Sequence, residues 1–308
     1  MSAYLTFHKP LAWHFVGLEL AFVVSFGLTL AHAIGRYRRG DRYPVFQWLA
    51  AFSYGILMEL IAFNFLDNYT HAQFSVQLYH DKLPVYVVCL YPTFLYTGLQ
   101  LVARWRLPVV TEALLVGFAI CLIDVPFDIV GVDAGWWTWS TTDKNLAVRW
   151  LGVPVTSYYW YLMFGAVYAL LSRGLRRLVE KRSLGLKLAL APLVGAGVIV
   201  GGTLSFLPFH GLKALGVRDD LIVAGHLAGC ALLVVSLWLR TKESRPALPS
   251  LSPLGAVPVL LGVFHLAVLF SVSNTTKLAV GAVAVVAVLS LIRPLAGSVA
   301  SSPALETK

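Results

Sequence analysis

The chain is a succession of apolar runs, each about 20 residues long and each closed by a short polar segment. Hydrocarbon offers a backbone no water to bond, so a run of that length has one inexpensive fold, the membrane-spanning α-helix. Nine runs are read from the sequence, at residues 11–35, 44–65, 83–103, 109–131, 154–172, 186–207, 220–239, 254–272 and 278–296. The expected fold is therefore all-α, a polytopic transmembrane helix bundle of about nine spans. Composition agrees, with 58% of residues hydrophobic and only 13% charged. The first run has neither a basic leader nor an obvious small-residue cleavage site, and is expected to remain as a span.

A formal net charge of +9 raises the question of a nucleic-acid partner, and the distribution of the charge answers it. With the N-terminus outside and the runs alternating, the inner segments hold most of the 24 Lys and Arg residues. Among them are Arg36, Arg38, Arg39, Arg42, Arg173, Arg176, Arg177, Lys181, Arg182 and Lys187. That asymmetry is the positive-inside signature, which places the N-terminus outside and the C-terminus inside. The basic balance is topological, and no nucleic acid is expected. Cys89, Cys121 and Cys230 lie far apart within apolar runs and read as small buried hydrophobes. No CxxC, HExxH, Walker loop or GxGxxG occurs, so neither a metal nor a cofactor is expected.

Residues 1–240 are read as a seven-span core, and residues 241–308 as a linker, a two-span hairpin and a tail. The Ser- and Pro-rich stretch from Arg240 to Pro253 separates the two. The hairpin is almost purely Ala, Val, Leu and Gly, with His265 its main polar residue, and is expected at the periphery. Gly195, Gly197, Gly201 and Gly202 give the sixth run a small-residue face suited to close helix packing.

The ionisable residues inside the runs carry the functional signal. A carboxylate within a span is costly and usually faces the bundle interior, which makes it a site candidate. Asp124 and Asp128, spaced i,i+4, share a face of the fourth run. Two carboxyls so close cannot both ionise cheaply, so one is expected to hold a proton. Alternation of the runs puts this pair at the outer half, with Glu59 and Asn64 at the outer end of the second run. Asp67, Asn68 and His71 lie just beyond, and Asp133 and a tryptophan cluster follow the aspartates. His14 and His226 read as packing histidines, and each Trp taken singly fits an interfacial belt. Three carboxylates at one depth, with no intramembrane Lys or Arg to pair them, point instead to an acidic pocket.

The segment from Asp124 through Asp128 to Gly135-Trp136-Trp137-Thr138-Trp139, then Gly152-Val153-Pro154 and Ser157-Tyr158-Tyr159-Trp160-Tyr161, resembles the membrane-embedded carotenoid hydratases. These include the γ-carotene and bisanhydrobacterioruberin hydratases of the carotenoid-biosynthesis family. In them an Asp-bearing helix leads to a Gly-x-Trp-x-Trp element, then to Gly-Val-Pro and an aromatic segment opening the next span. The resemblance covers residues 50–170, and Ser157-Tyr158 stands where the family has Asn before the aromatic residue. It implies a cofactor-independent hydro-lyase of a bacterial or archaeal cell membrane, acting on a carotenoid or other lipophilic isoprenoid. Protonating the alkene would give a tertiary cation that water captures. Asp124 or Asp128 would donate the proton, and Glu59 or the second Asp would receive one from the attacking water. Faces of Trp136, Trp139, Tyr158 or Tyr159 would stabilise the cation. Asn64, Asp67 and His71 would complete the substrate contacts.

Two rivals share these residues. Intramembrane carboxylates and histidines also serve proton-coupled transporters, but here they gather in one leaflet and no inverted repeat is visible. A non-catalytic lipid- or pigment-binding protein would use the same aromatics as a cradle. The oligomeric state leaves no trace in the sequence.

Overall fold

The computed structural model describes residues 4–105, 107–240 and 252–292. The helices are α1 (Trp13–Arg38), α2 (Tyr43–Leu66), α3 (Val85–Ala103), α4 (Val109–Asp133), α5 (Val155–Gly174), α6 (Leu184–Leu204), α7 (Leu207–Ala214), α8 (Asp219–Arg240), α9 (Ala256–Val272) and α10 (Thr275–Ile292). Each of the nine expected runs holds a helix over most of its described part, so the chain is an all-α polytopic bundle. Among the described residues, seven helical segments have the length and composition to cross a membrane unaided. The two expected spans that fall short do so for physical reasons. α5 opens with Thr156, Ser157 and four aromatic residues, and buries Thr156, Tyr158 and Tyr159 against its neighbours. α9 is only 17 residues long. The linker at 241–251 and the tail beyond 292 lie outside the described residues.

Short strands tie one end of the bundle together. β1 (Leu5–Phe7) pairs with β3 (Val76–Leu78), which pairs in turn with β4 (Leu83–Pro84). β2 (Tyr69–His71) pairs antiparallel with β5 (Trp137–Trp139), Tyr69 opposite Trp139 and His71 opposite Trp137. β6 (Arg149–Trp150) folds back on β7 (Val153–Pro154) just before α5. The N-terminal segment and the loops after α2 and α4 therefore meet at one end, as alternating spans require. Basic side chains mark the other end. Arg173 Nη1 lies 2.6 Å from Glu112 Oε2, and Arg104 Nη2 donates to the Ile292 carbonyl at 2.6 Å, closing the C-terminus of α10.

Helix α4 is the axis on which the site depends. It meets α5 at Gly117, where a Cβ would run into the Leu162 carbonyl. α6 approaches α2 at Gly195, whose missing side chain leaves room for the backbone at Tyr54; this is the close packing expected of the small-residue face. The C-terminal pair is less peripheral than its composition suggests. The Phe264 ring of α9 fills the space left by Gly17 on α1, and His265, 1% exposed, sits among Phe22, Phe127 and Trp136. At the start of α10, Lys277 Nζ meets Asp133 Oδ1 at 2.6 Å. The purely apolar look of this pair conceals that Phe264, His265 and Lys277 are turned toward α1 and α4.

Candidate functional site

Two helices deliver a carboxyl to the same cavity. Glu59 lies near the end of α2, whose last turns, Ala62–Leu66, widen to π geometry. Its carboxylate accepts a hydrogen bond from the Tyr91 hydroxyl and is 3.0 Å from the Tyr69 hydroxyl at each oxygen. Tyr91 precedes Pro92, which has no N–H to continue the α-helical ladder, and α3 runs through π turns from Pro92 to Tyr96. Asp128, on α4, accepts a 2.7 Å hydrogen bond from Ser157 Oγ in the first turn of α5. Glu59 and Asp128 both line a cavity of about 280 Å³.

The strand pair β2–β5 forms the roof of that cavity. Alternation along each strand points residues 69, 71, 137 and 139 to one face, and all four line the cavity. Ring centroids of His71 and Trp137 are 6.4 Å apart, and those of Tyr69 and Trp139 are 5.7 Å apart. His71 Nδ1 shares a 3.0 Å hydrogen bond with the Tyr86 hydroxyl. Burial pushes the His71 imidazole down to about 3, so the ring is neutral. Deeper walls come from Met58, Leu90 and Phe127. The mouth is marked by lining residues that are also exposed, Leu66, Asn145 and His210.

Several expected site residues lie elsewhere. Asp124 shares the face of Asp128, as its spacing requires, but one turn deeper in the bundle and off the cavity. It is wholly buried beside Asp128 and Tyr161. Asn64 turns outward and exchanges hydrogen bonds with the Tyr79 hydroxyl at 3.0 and 3.1 Å. Asp67 is exposed, where the chain leaves the π turn in a left-handed conformation (φ 46°). Trp136 precedes β5 and faces the opposite way, its Nε1 donating to His14 Nδ1 at 3.0 Å and its ring stacked on Phe264. Tyr158 donates to the Trp150 carbonyl at 3.3 Å and Tyr159 to that of Ser205 at 3.1 Å, both away from the cavity. Of the expected residues, Glu59, Asp128, His71 and Trp139 are brought together.

The positions that take over are neighbours of the expected ones. Ser157, Trp160 and Tyr161 line the cavity, at the i, i+3, i+4 spacing of one helical face. Trp137 replaces Trp136, because strand alternation pairs it with Trp139. Tyr69 and Tyr91 carry no marker in the sequence beyond an aromatic residue beside a span end and one beside an intrahelical proline. Among the described residues, no three His, Cys, Asp or Glu side chains cluster to hold a metal ion.

No curated protein and no solved structure matches the chain. A family model described as a domain of unknown function, DUF7802, matches residues 10–242, a span that includes every residue lining the cavity. The chain belongs to that DUF7802 family.

Proposed function

We propose that this membrane protein is an enzyme that hydrates a C=C bond near one end of a lipophilic isoprenoid such as a carotenoid, with Asp128 and Glu59 as its acid–base pair. The observation that carries the reading is the pairing itself: two carboxyls, each held by hydroxyl donors, in the wall of one aromatic cavity. A volume of about 280 Å³ is at the small end for ligand sites. It suits the end group of a polyene whose remainder lies in lipid. Leu66, exposed and in the cavity wall, gives the mouth an apolar edge for such a chain.

In the forward direction a protonated Asp128 transfers its proton to the less substituted alkene carbon. The π pair becomes the new C–H bond, leaving a tertiary cation. Water attacks that cation, and Glu59 takes the proton the water releases. The faces of Trp137 and Trp139 can stabilise the cation by up to about 2 kcal/mol where water is excluded. No electrons are exchanged with an outside donor, so the step balances with water alone.

The test is pigment analysis in bacteria engineered to make lycopene or γ-carotene. A new pigment heavier by one water, formed by the wild-type chain and lost in both Asp128→Asn and Glu59→Gln at equal membrane levels, is the expected result. Unchanged pigments from a correctly inserted wild-type chain would count against hydration of these polyenes.

A further inference from the structure

The roof carries more polar atoms than a hydrocarbon ligand needs. Among the described residues, Nε1 of Trp137, Nε1 of Trp139, Nε2 of His71 and Oδ1 of Asn68 are all buried without a hydrogen-bond partner, and all four residues line the cavity. They are not scattered. The β2–β5 register sets His71 against Trp137 and Tyr69 against Trp139, with Asn68 next in line. Each buried polar group left unsatisfied costs roughly 1–3 kcal/mol, and such groups in native proteins call for an explanation. Phenylalanine at 137 and 139 would offer a ring face with no N–H to satisfy. An indole N–H can only donate, so two of them together select for an acceptor. His71 already uses Nδ1 with Tyr86, which leaves Nε2 facing the same need. The deeper wall of Met58, Leu90 and Phe127 makes no comparable demand.

We infer that the cavity takes an isoprenoid lipid that already bears an oxygen function, a hydroxyl or a carbonyl, and that this oxygen seats beneath the roof on the indole N–H groups of Trp137 and Trp139. The inference rests on the proposed function for the isoprenoid class of the ligand. The hydrocarbon of that ligand packs against Met58, Leu90 and Phe127, while His71 and Asn68 complete the polar set. A pure hydrocarbon would leave the four atoms as they stand.

The experiment measures displacement of tritiated geranylgeraniol from the full chain in lipid nanodiscs, corrected by empty nanodiscs. The competitors are unlabelled geranylgeraniol and the chain-matched hydrocarbon that lacks its hydroxyl. The expected result is a preference of about tenfold or more for the alcohol. In Trp137→Phe/Trp139→Phe that preference collapses to near parity. The single variants carry the same test should the double variant fail to accumulate. Equal binding of both competitors by the wild type, as expected if the donors keep water, overturns the inference. A preference that survives the double substitution does so too. Pigment conversion measured beside the displacement assay separates this inference from the proposed chemistry. Oxygen preference without hydration would retain the binding inference and reject the reaction. Hydration of a hydrocarbon polyene by a wild-type chain that shows no alcohol preference would do the reverse.

Discussion

Gly131→Ala tests whether the roof is positioned by the bundle or merely lies over it. Gly131 sits on α4 one turn beyond Phe127, and the six-membered ring of Trp137 lies directly over it. A Cβ at residue 131 would fall within 3.0 Å of Trp137 Cη2, Cζ2 and Cζ3, where ordinary contact starts at 3.4 Å. The ring must retreat by about 1 Å or more, a displacement that in an active site can cost on the order of 10²-fold in rate. Trp137 cannot retreat freely, because Phe127 lies 4.7 Å from it, centroid to centroid. Overpacking of this kind costs about 1–3 kcal/mol, while Ala gains up to about 1 kcal/mol over Gly in a helix. Net destabilisation is thus small, about 0–2 kcal/mol, and loss of hydration should far exceed loss of fold. Thermal melting of the purified protein and pigment conversion in cells give the two readings. The decisive comparison is a double-mutant cycle with Trp137→Phe, whose smaller ring lacks the colliding atoms. In that background Gly131→Ala should be neutral or stabilising. An equal penalty in both backgrounds would refute the claim that Gly131 exists to seat Trp137.

Three further outcomes rest on particular contacts. Ser157→Ala removes the 2.7 Å hydroxyl donor from Asp128, and should lower hydration by about tenfold or more with little change in membrane abundance, read by pigment yield against immunoblot. Gly117→Ala sets a Cβ against the Leu162 carbonyl, a backbone atom that cannot rotate aside; it should destabilise the α4–α5 pair by about 3 kcal/mol and reduce accumulation of folded protein, measured by fluorescence-detected size exclusion. His71, held down to about 3 from 6.5, makes stability depend on pH. Across that window the unfolded chain binds a proton the folded chain excludes. Stability is therefore complete above 6.5 and declines as pH falls toward 3, by up to about 1.4 kcal/mol per unit. Melting temperatures at pH 7 and pH 5 should diverge less in His71→Gln than in the wild type, and equal divergence would contradict the buried neutral ring.

How much of the molecule is legible in the sequence depends on which forces act locally. Span-length apolar runs specify helices, and the costly carboxyls among them mark Glu59 and Asp128. Where the cavity lining departs from the expected residues, the difference is one of phase. α5 is aromatic on every side over its first two turns, so composition cannot distinguish Tyr158 and Tyr159 from the cavity-facing Ser157, Trp160 and Tyr161. Trp136 and Trp137 are adjacent, and only the pairing of β5 with β2, set by a loop about 70 residues earlier in the chain, decides which of them joins Trp139. Asp124 does share a face with Asp128, as the i,i+4 spacing implies, yet the depth of the cavity along α4 depends on the roof, which no local pattern encodes.

The two π-helical stretches connect these observations. One immediately succeeds the turn that carries Glu59, and the other begins one residue after Tyr91, its hydrogen-bond donor. A π turn spends more residues per turn than an α-helix, so it rotates the downstream part of a helix about its axis relative to the upstream part. Tyr91 can thus present its hydroxyl to α2 while the helix beyond Pro92 continues on a different face, where Tyr96 reaches His32 at 2.8 Å at the other end. If that rotation is what aims Tyr91, then Pro92→Ala should let the α-helical ladder close, turn Tyr91 away from Glu59 and lower hydration as much as Tyr91→Phe does, with no further loss in the double variant. Additive losses in Pro92→Ala/Tyr91→Phe would mean that the proline shapes some other part of the cavity and that the Glu59–Tyr91 bond is held by α2 alone.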